Sequence, residues 1–291
     1  MRALVLSGGS GKGAYQCGSL RYLLGELRVK YSVYCGISVG AINNSFLAQF
    51  PEGQEEESIE RLTDLWRTMD SSKIYKRHFP FGRLHAIWKQ SFFDGQPLHE
   101  LIKKNIKLDK IRETGKKVSV GTVSLSSGKY TIFDQNSDYF IDAVIASASF
   151  PVILPPVKFL DQLWSDGGSK TITPLHTAID MGADEIDVIM TSPKVRIKRF
   201  IEKPGIVDIL KRSVDLSADK IMANDLEKVE MYNQLALAGF TNKRYVKINI
   251  IRPDFNLIDD VLDFDPVKIR EMLEKGYQDA KSQYISNIVD I

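Results

Sequence analysis

The chain has 291 residues, of which 43% are hydrophobic and 26% charged. That is enough apolar residue for a full-sized core, and it excludes wholesale disorder. A net charge of +2 is too balanced to argue for nucleic acid, so only local clusters can carry a charge argument.

Residues 2–6 form an apolar run that stops at Ser7-Gly8-Gly9, the pattern of a buried parallel strand. A helix is expected over 12–27, where Tyr15, Leu20, Leu23, Leu24 and Leu27 recur at roughly helical spacing. A second short strand over 31–35 is closed by Gly36-Ile37-Ser38-Val39-Gly40, and 41–50 reads as a helix. This strand–helix–strand–helix unit needs a right-handed crossover, which puts both strands in one parallel sheet. Residues 51–112 read as mostly helical and irregular, with Glu55-Glu56-Glu57 as a solvated first turn favoured by the helix dipole.

Strand patterns at 116–124 and 129–133 flank Ser126-Ser127-Gly128, a hairpin signal. A helix follows over 138–147, then a tight strand pair about Asp161-Gln162, then a helix over 173–181 beside Pro174. An apolar strand at 185–191, a long helix over about 205–237, a late strand at 245–251 and a final helix over 266–284 complete the chain. The alternation argues for an α/β fold in a single domain spanning 1–291, with no internal repeat.

Cys17 and Cys35 fall in predicted elements and read as small buried apolar residues, with no metal-type pairing. No apolar run approaches the roughly 20 residues needed to cross a bilayer. The first residues lack a long apolar stretch followed by a small-residue cleavage site, so a cytoplasmic protein is expected.

Three motifs carry chemistry. In Gly36-Ile37-Ser38-Val39-Gly40, small residues let the chain turn sharply between strand and helix and lift Ser38 to the sheet edge. The helix after this turn points its N-terminal amides at the reacting centre. The second motif, Ser7-Gly8-Gly9-Ser10-Gly11-Lys12-Gly13, can turn several backbone N–H groups toward one anion. It fails as a Walker loop, because Leu6 stands where the first glycine belongs and Gly13 where the hydroxyl belongs. As a dinucleotide fingerprint it lacks an acid after the second strand. An oxyanion hole for Ser38 is the better use. The third motif, Asp166-Gly167-Gly168, comes after a short strand; alone, Asp-Gly reads first as a turn.

Together these motifs resemble the patatin-like phospholipases. The likeness extends to Leu6-Ser7-Gly8-Gly9, to Gly18-Ser19-Leu20, to Ala146-Ser147-Ala148-Ser149-Phe150-Pro151 and to Pro174, and covers residues 3–180. The resemblance implies a three-layer α/β/α fold with a mostly parallel central sheet. It also implies hydrolysis of fatty-acyl esters of phospholipids, lysophospholipids or other acyl lipids, without metal or cofactor. By motif match Ser38 is the nucleophile, Asp166 its base, and Gly8, Gly9, Ser10, Gly11, Lys12 and Gly13 the oxyanion loop, with Gly36, Gly40, Gly167 and Gly168 in support. Three departures stand out: Ser10 for a third glycine, Lys12 for arginine, and Ile172 for asparagine. A lipid acyltransferase, and a non-catalytic lipid-binding protein on the same fold, stay open.

Such an enzyme must reach lipid in an interface. Residues 71–93 hold Lys73, Lys76, Arg77, Arg83 and Lys89 with no acid, and aromatics that include Trp88. Cationic and aromatic side chains together favour an anionic membrane surface, while a cap whose aromatics pack on the core explains them equally. A second basic cluster at 194–199 reads as a solvated loop. Ser38, Asp166 and His176 occur in the order of a hydrolase triad, but Ser38 arrives after only two predicted strands. A Ser–Asp dyad with no histidine is therefore expected.

Overall fold

The computed structural model describes residues 1–77, 90–194, 205–240, 244–258 and 262–289. The central sheet is built on β1 (Arg2–Leu6), which pairs in parallel with β2 (Val33–Gly36) on one side and β9 (Glu185–Ile189) on the other. β10 (Lys247–Ile251) extends the sheet beyond β9, and β5 (Lys117–Ser124) beyond β2, both in parallel. β6 (Tyr130–Asp134) and β8 (Gln162–Asp166) pair antiparallel with β5, and β7 (Val157–Phe159) with β8. The expected α/β fold with a mostly parallel sheet is what forms.

Alternation along the strands sorts side chains between two faces, because successive residues of a strand point oppositely. Leu4 and Leu6 pack with α1 (Gly13–Leu20), α2 (Val39–Ala48), α3 (Glu55–Arg67) and the late α9 (Pro266–Val289). Ala3 and Val5 face α7 (Leu175–Asp180) and the long α8 (Ile206–Leu237). The result is helix, sheet, helix. α1 meets α9 at backbone distance: a Cβ on Gly18 would lie 2.0 Å from the Leu273 carbonyl oxygen.

Three local expectations change. The first helix is split into a 3-10 turn at Ser10–Lys12, α1, and a π-helical stretch at Arg21–Glu26. The β7–β8 turn is centred on Leu160-Asp161, both with positive φ, rather than on Asp161-Gln162, since β8 already begins at Gln162. Residues 51–112 also hold a strand ribbon, β3 (Lys76–Arg77) with β4 (Phe93–Asp94), beside α4 (Gln96–Asn105) and α5 (Leu108–Glu113). Two-residue strands are too short to leave a periodic signal. Cys17 and Cys35 are buried and free, as expected.

β5 sets where the neighbouring strand ends lie. Val120 pairs with Gly36 of β2 and Phe133 of β6, so β2 and β6 lie on opposite sides of it. Thr122 pairs with Thr131 of β6 and Asp166 of β8. β8 therefore lies on the same side as β2, in line beyond its C-terminal end.

Candidate active site

β2 ends at Gly36, and the chain turns through Ile37 and Ser38 into α2. Ser38 has φ +55° and ψ −127°, a conformation L-residues rarely adopt. The turn is tight enough that a Cβ on Gly36 would lie 2.4 Å from the Gly40 carbonyl oxygen, and one on Gly40 would lie 2.3 Å from that of Leu6. The Gly40 amide donates to the Ile37 carbonyl (2.9 Å), and the Ala41 amide to that of Ser38 (3.0 Å). Ser38 thus sits at the N-terminus of a ten-residue helix, where the dipole favours negative charge.

Asp166, the last residue of β8, is 2% exposed. Burial pushes its carboxyl up to about 6, while the hydrogen bond from the Gly168 amide (2.7 Å) and the nearby Ser38 side chain work in the other direction. A carboxylate kept dry beside a serine side chain has the chemistry of a general base for it. Gly167 allows this approach, since a Cβ there would meet the Gly121 carbonyl oxygen at 2.4 Å.

The glycine loop lies against Ser38: a Cβ on Gly8 would be 3.5 Å from the Ser38 Cβ. The Gly8 amide donates to the Ile172 carbonyl (3.1 Å), and its carbonyl accepts from the Thr191 hydroxyl (2.7 Å) and the Ser7 hydroxyl (3.1 Å). Positive φ falls on Ser10 (+49°), while Gly9 has an extended φ and is required instead by Thr191, whose Oγ1 would lie 2.2 Å from a Cβ. The amides of Lys12 and Gly13 bond back into the loop. Among the described residues, the amides of Gly9, Ser10 and Gly11 have no acceptor. Lys12 is buried and donates from Nζ to Ser192 Oγ (3.3 Å). Ile172, the third departure from the family pattern, takes part through its backbone.

The fold thus brings Ser38, Asp166, Gly8–Gly13, Gly36, Gly40, Gly167 and Gly168 together. Elsewhere, Lys73 lies in a 3-10 turn and donates to the Thr68 carbonyl, and Lys76 is exposed on β3 beside Arg77. Arg83, Trp88 and Lys89 lie outside the described residues, as do His78, His85 and 195–199 of the second basic cluster. His176 is on the open face of α7, its Nε2 3.8 Å from Asp180. Sequence reasoning missed Ser147, Ser149 and Thr191. The small-residue run at 146–151 marked the first two without giving a role.

The patatin-like phospholipase profile matches residues 4–179. The chain belongs to the patatin-like phospholipase family. Lipid-ester hydrolysis in general is the chemistry this membership assigns. A curated relative, "Probable lipid hydrolase 463L" of Invertebrate iridescent virus 6, is 23% identical over 257 residues, covering 80% of this chain and 86% of the relative. VipD from Legionella pneumophila is 14% identical with TM-score 0.48, covering 98% of this chain and 67% of VipD. The type III effector ExoU of Pseudomonas aeruginosa is 13% identical with TM-score 0.47, and this chain spans 53% of its length. Among the described residues, no cluster of three or more His, Cys, Asp or Glu could hold a metal, and no helix is long and apolar enough to cross a membrane.

Proposed function

We propose that this patatin-like protein hydrolyses fatty-acyl esters of phospholipids or lysophospholipids through a Ser38–Asp166 dyad and an acyl-enzyme. The observation that carries the reading is the buried Asp166 carboxylate beside the side chain of Ser38, a serine held at a strained strand-to-helix turn. Asp166 takes the Ser38 proton as Oγ attacks the acyl carbonyl carbon. The oxygen of that carbonyl gains negative charge, which the unbonded amides of Gly9, Ser10 and Gly11 and the N-terminus of α2 stabilise. The ester C–O bond breaks, Asp166 returns the proton to the leaving alkoxide, and the alcohol departs. Water then gives a proton to Asp166 and attacks the acyl-enzyme, releasing fatty acid and restoring Ser38. One well-placed oxyanion donor is worth ~3 kcal/mol in kcat.

The whole 1–291 chain acts as one catalytic domain, since β10 extends the sheet and α9 packs on α1. The exposed Lys73 and Lys76, with Arg77 next in sequence, supply cationic residues for an anionic lipid surface.

A lipid ester panel tests the proposal: lysophospholipid, diacyl phospholipid, triacylglycerol and a soluble p-nitrophenyl ester, each with wild type and Ser38→Ala. Wild type should release fatty acid from the phospholipid substrates and label with a fluorophosphonate; Ser38→Ala should do neither while staying folded. Hydrolysis by Ser38→Ala at the wild-type rate, or a wild type that neither labels nor turns over, ends the reading. Acyl transfer to an added alcohol in place of fatty-acid release would make the protein an acyltransferase.

A further inference from the structure

Asp225 lies on α8, outside the family-matched residues 4–179, and is buried. One of its oxygens, Oδ2, accepts from two successive amides, Ile172 (2.9 Å) and Thr173 (3.0 Å). Burial pushes its carboxyl up, and those two bonds, with a smaller contribution from the Lys228 charge, oppose the push.

The peptide group between Ile172 and Thr173 is a rigid plane. Its N–H donates to Asp225, and its C=O accepts from the Gly8 amide at 3.1 Å. Hydrogen bonds in series polarise one another, so the carboxylate strengthens the acceptor that holds Gly8. On its other side, the Gly8 carbonyl is held by Thr191 and Ser7. In a trans peptide C=O and N–H point in opposite directions, so this anchoring aims the Gly9 amide. The same segment closes the turn after Asp166, where the amides of Lys170 (2.9 Å) and Thr171 (3.0 Å) donate to the Gly167 carbonyl. One carboxylate therefore braces the strip of backbone that runs from the Asp166 turn to the glycine loop.

We infer that Asp225 is a positioning residue for the reaction, a clamp supplied by the last third of the chain that sets the oxyanion loop through the Ile172–Thr173 peptide. The inference deepens the dyad reading and rests on it for its kinetic effect, but the clamp itself has a readout independent of activity.

The test uses the full chain with Asp225→Ala, Asp225→Asn and Asp225→Glu. Two quantities are measured: kcat and KM on the soluble p-nitrophenyl ester, per fluorophosphonate-labelled site, and hydrogen exchange of the Gly8 amide by NMR. Asn can present an oxygen where Oδ2 stands, so Asp225→Asn should stay within about threefold of wild type and keep Gly8 protected. Asp225→Ala should lose about tenfold to a hundredfold in kcat with little change in KM, and exchange Gly8 faster. Should the alanine variant fail to fold, Asp225→Glu takes its place, since it moves the carboxylate by one methylene while retaining charge. Unchanged kcat per site with unchanged Gly8 exchange in the Ala or Glu variant overturns the clamp, as does an Asn variant as slow as Ala. If instead Ser38→Ala hydrolyses the ester like wild type, the dyad reading falls, and Gly8 exchange alone judges Asp225.

Discussion

The Ser38 amide donates a 2.9 Å hydrogen bond to the hydroxyl of Ser147, the last residue of α6 (Phe140–Ser147). Two residues on, the Ser149 carbonyl accepts from the Asp166 amide (3.1 Å) and the Ser165 hydroxyl (2.7 Å). One helix end thus fastens both members of the proposed dyad. The Ser38 backbone conformation costs ~1–3 kcal/mol, so it persists only where its surroundings hold it.

Replacing Ser147 with alanine removes the acceptor and leaves a buried N–H without a partner, at ~1–3 kcal/mol. Ser147→Ala should melt at a lower temperature and turn over more slowly, with Asp166 still in place. Calorimetry with kcat on a soluble ester checks both; wild-type values for each would remove Ser147 from the account.

The glycines should separate into two classes. At Gly36 and Gly40 an added Cβ meets backbone oxygens at 2.4 and 2.3 Å, which cannot move aside without breaking the turn. Gly36→Ala and Gly40→Ala should lose ~3 kcal/mol or more, or not fold. At Gly8 the methyl meets only ordinary contacts, the nearest being the Ser38 Cβ at 3.5 Å. Gly8→Ala should therefore keep its urea midpoint yet hydrolyse esters slowly, because the methyl occupies substrate space. A Gly8→Ala enzyme with wild-type kcat contradicts this placement of the loop.

Asp166 links activity and stability to pH in opposite directions. Its carboxyl is pushed up to about 6 from 3.8 by burial, and in the proposed mechanism only the carboxylate accepts the Ser38 proton. kcat should rise with pH through about 6. Between pH 3.8 and about 6 the folded state holds the proton that the unfolded chain has released. Stability due to this group is thus present at low pH and lost as pH rises, by ~3 kcal/mol in all. Asp166→Asn should abolish hydrolysis and, at pH 8, resist urea better than wild type; at pH 3.5 the difference should vanish. Equal stability at both pH values would refute the burial argument.

His176 should be dispensable. Its side chain is 59% exposed and pairs across one helical turn with Asp180. His176→Ala should retain most activity on the soluble ester; a folded but inactive variant would restore a histidine-dependent triad.

Neutralising Lys73, Lys76 and Arg77 should weaken binding to anionic vesicles by ~1 kcal/mol per residue and spare hydrolysis of the soluble ester. Vesicle sedimentation reads this directly. Binding that is indifferent to the three substitutions would leave this edge as ordinary solvated surface.

By itself the sequence determined the local chemistry. The apolar run at β1, the glycine-flanked turn at Ser38, the Ser126-Ser127-Gly128 hairpin and the long C-terminal helices were all legible, because each depends on periodicity or turn residues within a short window. The proposed Ser38–Asp166 pair was legible as two separate motifs, joined only through the family resemblance. Tertiary structure alone put them side by side, through the register in which Gly36 and Asp166 take positions opposite Val120 and Thr122 of β5. Thr191 and Asp225 left no local signal for the same reason, and the small-residue run that marked Ser147 gave it no role. Hydrophobic pattern says which face of an element is buried, but not which distant backbone group a lone polar side chain on that face will meet, and here those meetings hold Ser38 and the loop beside it.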